Sequence, residues 1–263
     1  MRYVDSHCHL NMKEFSTILE SVLEEARTAG VQRLLVVGFD MASSAEAVSI
    51  ARIHRGEGVF AAVGVHPHDA KTCPPGELPR TLEDRALGRE VVAVGETGLD
   101  FHYDLSPRKA QEESFRRHID LAVRVGKPLI VHVREAYREA LQILREERAD
   151  SCGGIIHCFS GDWQDAEAAL DLGFHVSFAG PVTFPRSTGL RETAGKIPAN
   201  RLLCETDCPY LAPQPWRGRT NRPAYVTAIY EAIAKQRKVD VETLAEEVWR
   251  NAAGLFGWEA LDV

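Results

Sequence analysis

Short apolar runs recur along the chain, and many are rich in β-branched side chains. Eight of these runs are predicted as strands, at residues 3–4, 33–37, 59–63, 91–94, 128–131, 154–156, 175–178 and 202–204. Continuous apolar runs of this length are typical of parallel strands that are buried on both faces. We therefore expect a parallel sheet with its two faces covered.

Stretches with helical periodicity lie between these runs. Residues 13–29 carry apolar side chains on one side, and residues 107–125 begin with proline after a serine cap, a common helix start. Further helices are predicted at 135–147, 162–172, 222–238 and 240–255. Because strand and helix alternate through eight units, the pattern predicts an α/β fold of the (β/α)8 TIM-barrel class, with the last helix on the outside.

The chain length fits this architecture, since 263 residues suffice for one barrel. No linker or low-complexity segment divides the sequence, so we expect a single domain over 1–263. Residues 209–223 are rich in proline and follow the eighth predicted strand. Loops at this position often bind substrate in barrel enzymes.

Composition narrows the class of protein. The net charge of -7 argues against a globally basic protein that wraps nucleic acid, although a cleft with bound cations and local arginines stays open. No apolar run is long enough for a membrane span, and the first residues do not resemble a signal peptide. The six cysteines form no CxxC pair. We expect reduced thiols, a cytoplasmic location, no membrane association and no obligatory protein partner.

Histidines and carboxylates lie at the ends of five predicted strands. They are His7 and His9 on the first, Glu96 on the fourth, His132 on the fifth, His157 on the sixth and Asp207 on the eighth. Residues i and i+2 of a strand point to the same side, so both imidazoles of the first strand should face the barrel interior. The six side chains are therefore predicted to meet at one end of the barrel.

Such a set of side chains is typical of a metal site. Buried imidazoles and carboxylates are costly alone, but together they bind divalent cations. Six ligands exceed the four that a tetrahedral metal needs. We therefore predict two divalent metal ions about 3.5–4 Å apart, bridged by a carboxylate. Their identity stays open, because imidazole suits Zn while carboxylate and phosphate suit Mg or Mn.

Several other residues carry weaker signals. His66 ends the third predicted strand and is expected in the active site, either against substrate or supporting the ligands. His54 and His118 fall inside predicted helices, where we expect them to be solvated. Cys204 and Cys208 flank the segment that contains Asp207, and we expect them to pack rather than bind metal.

Basic and aromatic residues near the predicted strand ends are candidates for substrate binding. The arginines that we expect to hold phosphates are Arg134, Arg217, Arg219 and Arg222. The alternative for the last three is a solvated charged loop. The candidates for stacking on a base are Tyr103, Tyr210 and Trp216.

Sequence motifs extend over most of the chain. They are DSHCHL at 5–10, GVHPH at 64–68, GETGLDFHYD at 95–104, RKAQEESFRRHIDLA at 108–122, PLIVHVREA at 128–136, GGIIHCFSG at 153–161, ETDCPYLAP at 205–213, GRTNRPAYV at 218–226 and NAAGLFG at 251–257. Together they resemble the TatD family of metal-dependent deoxyribonucleases, within the amidohydrolase superfamily of barrel hydrolases.

The resemblance implies a role for each ligand. Glu96 matches the family's bridging carboxylate, shared between one metal held with His7, His9 and Asp207 and another held with His132 and His157. Asp207 would also act as a general base, and His66 matches an active-site residue. The implied activity is hydrolysis of DNA phosphodiester bonds by activated water, resembling a 3′-5′ exonuclease on single-stranded DNA.

Two other functions stay open at this point. The same binuclear site could serve a small-molecule amidohydrolase that cleaves a C–N or C–O bond, and a narrow apolar pocket would favour that reading. A non-catalytic binding protein that kept the fold is the third hypothesis. The intact ligand set argues against it.

Overall fold

A computed structural model describes residues 1–74 and 76–258 of the chain. Its eight strands are β1 (Tyr3–Cys8), β2 (Val31–Val37), β3 (Val59–Val63), β4 (Val91–Asp100), β5 (Leu129–Arg134), β6 (Gly154–Ile156), β7 (His175–Phe178) and β8 (Leu202–Cys204). Each strand pairs in parallel with the next one along the chain, from β1 to β8.

Hydrogen bonds between the first and last strands bring the sheet round into a barrel. The Asp207 amide, just beyond β8, donates to the His7 carbonyl oxygen over 2.9 Å. The Ser6 hydroxyl donates to the Cys204 carbonyl oxygen over 3.1 Å. The predicted (β/α)8 barrel is therefore confirmed.

Nine helices among the described residues surround the strands. They are α1 (Leu19–Thr28), α2 (Met41–His54), α3 (Arg80–Ala86), α4 (Arg108–Val125), α5 (Tyr137–Glu146), α6 (Trp163–Asp171), α7 (Thr188–Lys196), α8 (Val226–Arg237) and α9 (Val241–Phe256). The helix predicted from residue 13 begins only at Leu19, because turns occupy the preceding residues. None of these helices is long and apolar enough to cross a membrane.

The core lies both inside the barrel and between the barrel and its helices. Every residue of β3 and β4 is buried, as expected for strands covered on two faces. The expectation that His54 and His118 are solvated is wrong, since their exposed fractions are 5% and 0%. Both lie on inward helix faces. The His118 ring is satisfied there, because Nδ1 donates to the Ser114 carbonyl and Nε2 accepts from the Val65 amide.

An irregularity in β4 positions the centre of the site. Between Val94 and Thr97 the strand gains one residue relative to β5. This β-bulge changes the direction of the Glu96 side chain. Beyond the bulge, Gly98 pairs with His132 at a φ of +139°. A Cβ atom on Gly98 would lie 2.0 Å from the His132 carbonyl oxygen. Only glycine allows β4 and β5 to approach so closely here.

Candidate metal centre

Glu96 lies at the middle of a cluster of histidines. Its Oε2 atom faces Nε2 of His7 at 3.4 Å and Nε2 of His9 at 3.6 Å. Its Oε1 atom faces Nε2 of His157 at 2.8 Å and Nδ1 of His132 at 3.0 Å. The two carboxylate oxygens therefore address two separate groups of nitrogen atoms.

The group on the Oε2 side contains a second carboxylate. Asp207 Oδ1 lies 3.4 Å from Nε2 of His9 and 3.7 Å from Nε2 of His7. The two imidazole Nε2 atoms are themselves 3.1 Å apart. This geometry follows from β1, in which both histidines point to the barrel interior, and from the backbone bonds that join β1 to the segment after β8.

Hydrogen bonds on the outer side of three rings determine which nitrogen faces inward with a lone pair. Nδ1 of His9 lies 2.9 Å from the Val37 carbonyl oxygen, which can only accept, so Nδ1 carries the proton. Nδ1 of His157 likewise faces Glu205 Oε1 at 3.3 Å. Nε2 of His132 faces Asp100 Oδ2 at 3.3 Å. In the neutral form of each ring, the other nitrogen therefore carries a lone pair and faces Glu96.

Acceptor atoms that converge in this way repel one another unless protons or cations lie between them. Without either, four imidazoles and two carboxylates would be unfavourable here, because four of the six are buried and His132 and Asp207 are only partly exposed. Although burial opposes a charged ring, the Glu96 charge and the hydrogen bond with Glu205 raise the pKa of His157 well above its ordinary value. The site thus favours positive charge, and its mixed nitrogen and oxygen donors fit divalent cations.

Asp100 supports one of these rings from behind. Its Oδ1 atom accepts the backbone amides of His102 and Tyr103, over 3.0 and 2.9 Å. Its Oδ2 atom faces Nε2 of His68 at 2.8 Å and Nε2 of His132 at 3.3 Å. Burial opposes ionisation, but the hydrogen bonds from His132, Tyr103 and His68 hold the pKa of Asp100 well below its usual range. Asp100 is therefore an anion that orients His132.

His66 enters the cluster from the segment after β3. Its Nδ1 atom accepts the His68 amide over 3.2 Å, so the neutral ring carries its proton on Nε2. That nitrogen lies 3.4 Å from Glu96 Oε1. Burial lowers the pKa of His66 to about 4, more than the nearby Glu96 charge raises it. His66 is therefore a neutral donor at pH 7.

A buried carboxyl group beneath the site links β1 to the segment that carries Asp207. Asp5 accepts hydrogen bonds from the Thr206 amide, over 2.8 Å, and from the Thr206 hydroxyl, over 2.6 Å. Burial raises the pKa of Asp5 to about 8 in spite of these bonds. Cys204 and Cys208 are fully buried nearby.

A cavity of about 710 Å³ opens above the cluster. His9, His66, Glu96, His132, His157 and Asp207 reach its wall, and so do Arg134, Tyr103 and Tyr210. The structure thus brings the predicted ligands together with one of the four predicted substrate-binding arginines and two of the three predicted stacking residues.

The remaining candidates lie away from the cavity wall. The Arg217 guanidinium packs over the Phe184 ring at 4.1 Å. Arg222 donates to Glu25 of α1 over 2.7 Å. Arg219 is exposed on the same loop. Trp216 stacks on Tyr225 with 4.2 Å between ring centroids.

Sequence reasoning missed three residues that support the site. Glu205 holds His157 and also accepts the Cys158 amide over 2.6 Å, and Asp100 and His68 form the chain behind His132. A signal for Asp100 was present, because it lies four residues after Glu96 and side chains alternate along a strand. It went unused because β4 was predicted to end at residue 94.

The chain matches a known protein family along almost its whole length. The model of a family described as TatD related DNase matches residues 4–257. The chain belongs to this family. The predicted resemblance to the TatD family is therefore confirmed.

Two curated relatives and a solved structure resemble this TatD-family chain along nearly its whole length. It is 41% identical over 252 residues to YabD of Bacillus subtilis, an uncharacterized metal-dependent hydrolase, with 96% of this chain and 98% of the relative covered. It is 36% identical to a Pantoea ananatis protein named 3′-5′ ssDNA/RNA exonuclease TatD, with 96% and 98% covered. The TatD homolog YJJV of Escherichia coli matches with a TM-score of 0.88 at 29% identity, over 97% and 98% of the two chains.

Proposed function

We propose that this TatD-family protein is a metal-dependent hydrolase that removes nucleotides from the 3′ end of single-stranded DNA. The observation that carries the proposal is the position of Glu96. Its two carboxylate oxygens face two separate groups of imidazole nitrogens at 2.8–3.6 Å. The name of the Pantoea ananatis relative supports the choice of substrate. The family description supports the nuclease function expected from the sequence, and the name of YabD supports a metal-dependent hydrolase.

Two divalent cations are proposed to share Glu96. His7, His9 and Asp207 would hold one, and His132 and His157 would hold the other. When bound, such a pair lowers the pKa of water and offsets negative charge on a phosphoryl oxygen. Zn, Mn and Mg all remain compatible with these donors.

Two residues are proposed to act on the reacting groups. Asp207 is an anion, because the hydrogen bond with His9 and the nearby histidines lower its pKa although burial opposes this. Its side chain keeps 13% exposure toward the cavity, so it can take a proton from the attacking water. His66 is a neutral donor whose Nε2–H would bind a phosphoryl oxygen, which stabilises the charge that develops there.

Arg134 is the predicted phosphate ligand closest to this chemistry, since its side chain lines the cavity. Its guanidinium carbon lies 4.7 Å from the ring centroid of Tyr103, which also lines the cavity. We propose that Arg134 binds a phosphate next to the scissile one. Arg217, Arg219 and Arg222 would reach only phosphates farther along the strand, and Arg222 would first have to leave Glu25.

The decisive experiment measures cleavage of end-labelled single-stranded DNA, double-stranded DNA and RNA with Mg, Mn or Zn. We expect a ladder of products that shortens from the 3′ end of single-stranded DNA and disappears with a chelator. If metal-loaded protein neither cuts nor binds these strands, the proposal fails. Hydrolysis of small amides or esters by the same protein would then favour the amidohydrolase hypothesis.

A single domain over residues 1–263, a cytoplasmic location and action without an obligatory protein partner are part of the same proposal. The net charge of -7 agrees with a protein that binds nucleic acid through a local cleft rather than over its whole surface.

A further inference from the structure

The turn formed by residues 207–211, the Asp207 turn, exposes two apolar side chains to solvent beside the proposed metal centre. Tyr210 and Leu211 are 50% and 38% exposed, and both line the cavity. The Tyr210 ring centroid lies 6.4 Å from that of His9. Neither side chain is among the proposed metal ligands, and exposed apolar surface in a groove can mark a ligand-binding site.

The backbone of this turn is strained. Asp207 and Leu211 adopt left-handed φ values of 57° and 55°. Aspartate tolerates such a conformation, but it is uncommon for leucine and persists at Leu211 only where the surroundings enforce it. Strain of this kind is often found where a protein holds a ligand.

Contacts from two sides enforce the turn. The side chain of Asn221, which is fully buried, donates to the carbonyl oxygens of Thr206 and Tyr210 over 2.8 and 2.7 Å. On the other side, Gly180 leaves room for the Leu211 carbonyl oxygen, which would lie 1.7 Å from a Cβ atom at that position. The turn is therefore held in place from two sides, and Tyr210 and Leu211 line the cavity.

The chemistry of this surface selects a neutral planar ligand. Phe39, whose ring lies 5.4 Å from that of His9, and Met12 continue the apolar wall on the same side. A nucleobase offers an uncharged planar face that stacks on a tyrosine and fits this apolar surface.

We infer that Tyr210 and Leu211 form a stacking subsite for the base of a nucleotide next to the scissile phosphodiester bond. This inference rests on the proposed nuclease function. It assigns to the Asp207 turn two tasks, because the same rigid segment would hold a ligand for the metal centre and the platform for the base. Removal of the Tyr210 ring should then weaken productive binding of base-bearing strands without loss of metal.

The test compares three single-stranded oligonucleotides, one intact and two with an abasic residue at the terminal or the penultimate 3′ position. The manganese-loaded wild-type protein should lose kcat/KM by roughly tenfold to a hundredfold with one of the abasic strands. Tyr210→Ala should show a similar loss on the intact strand and no further loss on that abasic strand. Tyr210→Phe, which keeps the ring, should restore the preference for a base.

Other outcomes separate the possible failures. Equal cleavage of all three strands by the wild type, or an equal loss on all strands in Tyr210→Ala, would overturn the subsite. A fall in bound manganese in Tyr210→Ala would overturn it as well, because the residue would then support the metal centre. If the wild type cuts none of the strands, the proposed function itself fails. Ile53→Ala, an exposed residue at the end of α2 before β3, is the control for loss of an apolar surface group.

Discussion

Asp100 Oδ2 lies 3.3 Å from Nε2 of His132, on the side of the ring opposite to Glu96. The same oxygen holds His68 at 2.8 Å, and the other oxygen accepts two backbone amides. A carboxylate behind a ligating histidine fixes the tautomer and orientation of the ring. Asp100 therefore orients the His132 ring so that Nδ1, its proposed ligand atom, faces Glu96.

Asp100→Asn should weaken metal binding while leaving the barrel folded. The amide is nearly the size of the carboxylate, but it lacks the negative charge that faces Nε2 of His132 in the wild type. We expect the affinity for Mn or Zn to fall about 10- to 100-fold, as for other groups that support metal-bound histidines. Titration calorimetry with the metal alone measures this, and circular dichroism checks the fold. Unchanged affinity would show that Asp100 only orders the Phe101–Asp104 turn.

Glu96→Gln should abolish turnover, since one neutral amide cannot serve two cations as a bridge. The apolar strand and helix faces that make the core are untouched, so the thermal transition should persist. Metal content and cleavage of labelled DNA are measured on the same sample. Activity close to that of the wild type would show that Glu96 is not the bridge.

Metal removal and replacement should be reversible with a stoichiometry of two. Dialysis against a chelator should eliminate hydrolysis, and added Mn or Zn should restore it. Elemental analysis of the reconstituted protein should approach two ions per chain, because two groups of donors share Glu96. Saturation near one ion would refute the binuclear proposal and leave the fold assignment intact.

Arg134→Gln should weaken binding of all single-stranded sequences by a similar factor, because phosphates carry no sequence information. The slope of log K against log salt should become shallower by about 0.7, since one fewer counterion is released. A nuclease-resistant phosphorothioate strand allows this measurement without cleavage. Arg27→Gln, at the end of α1 that precedes β2, is the matched control. An unchanged slope in Arg134→Gln would place the phosphate contacts elsewhere.

Acid should destabilise the fold partly through His118. Burial lowers the pKa of this ring to about 4 in the folded protein, against about 6.5 when it is unfolded. Between these values the unfolded chain binds a proton that the folded chain does not. The free energy of unfolding is therefore unaffected by titration of His118 above about pH 6.5. It falls by about 3 kcal/mol through this residue as the pH falls toward 4.

Denaturant unfolding at several pH values tests this expectation. His118→Gln removes the titrating group and keeps an acceptor for the Val65 amide, so its free energy of unfolding should fall less steeply between pH 7 and 4. His102→Gln replaces a more exposed histidine and should keep the wild-type slope. Equal slopes in the wild type and His118→Gln would contradict the assignment.

The barrel and the convergence of the proposed metal ligands were predictable from local patterns. Apolar runs separated by helical periodicity specify parallel strands, and the closed barrel brings all their carboxyl ends to one face. His7 and His9 needed only the alternation of side chains along β1. The predicted ligands at the ends of five strands could therefore be assigned to one site before any distance between them was known.

The supporting groups depended on tertiary contacts that no local pattern encodes. The bulge at Gly95 and Glu96 arises from the fit between β4 and β5, and it lets β4 continue to Asp100 behind His132. The helix that carries His118 was predicted, but only packing against Val65 shows that the ring is buried and neutral. Likewise Arg222 and Arg134 look alike in sequence, yet one binds Glu25 and the other lines the cavity. Burial and partner choice depend on which distant segments meet, and folding alone decides that.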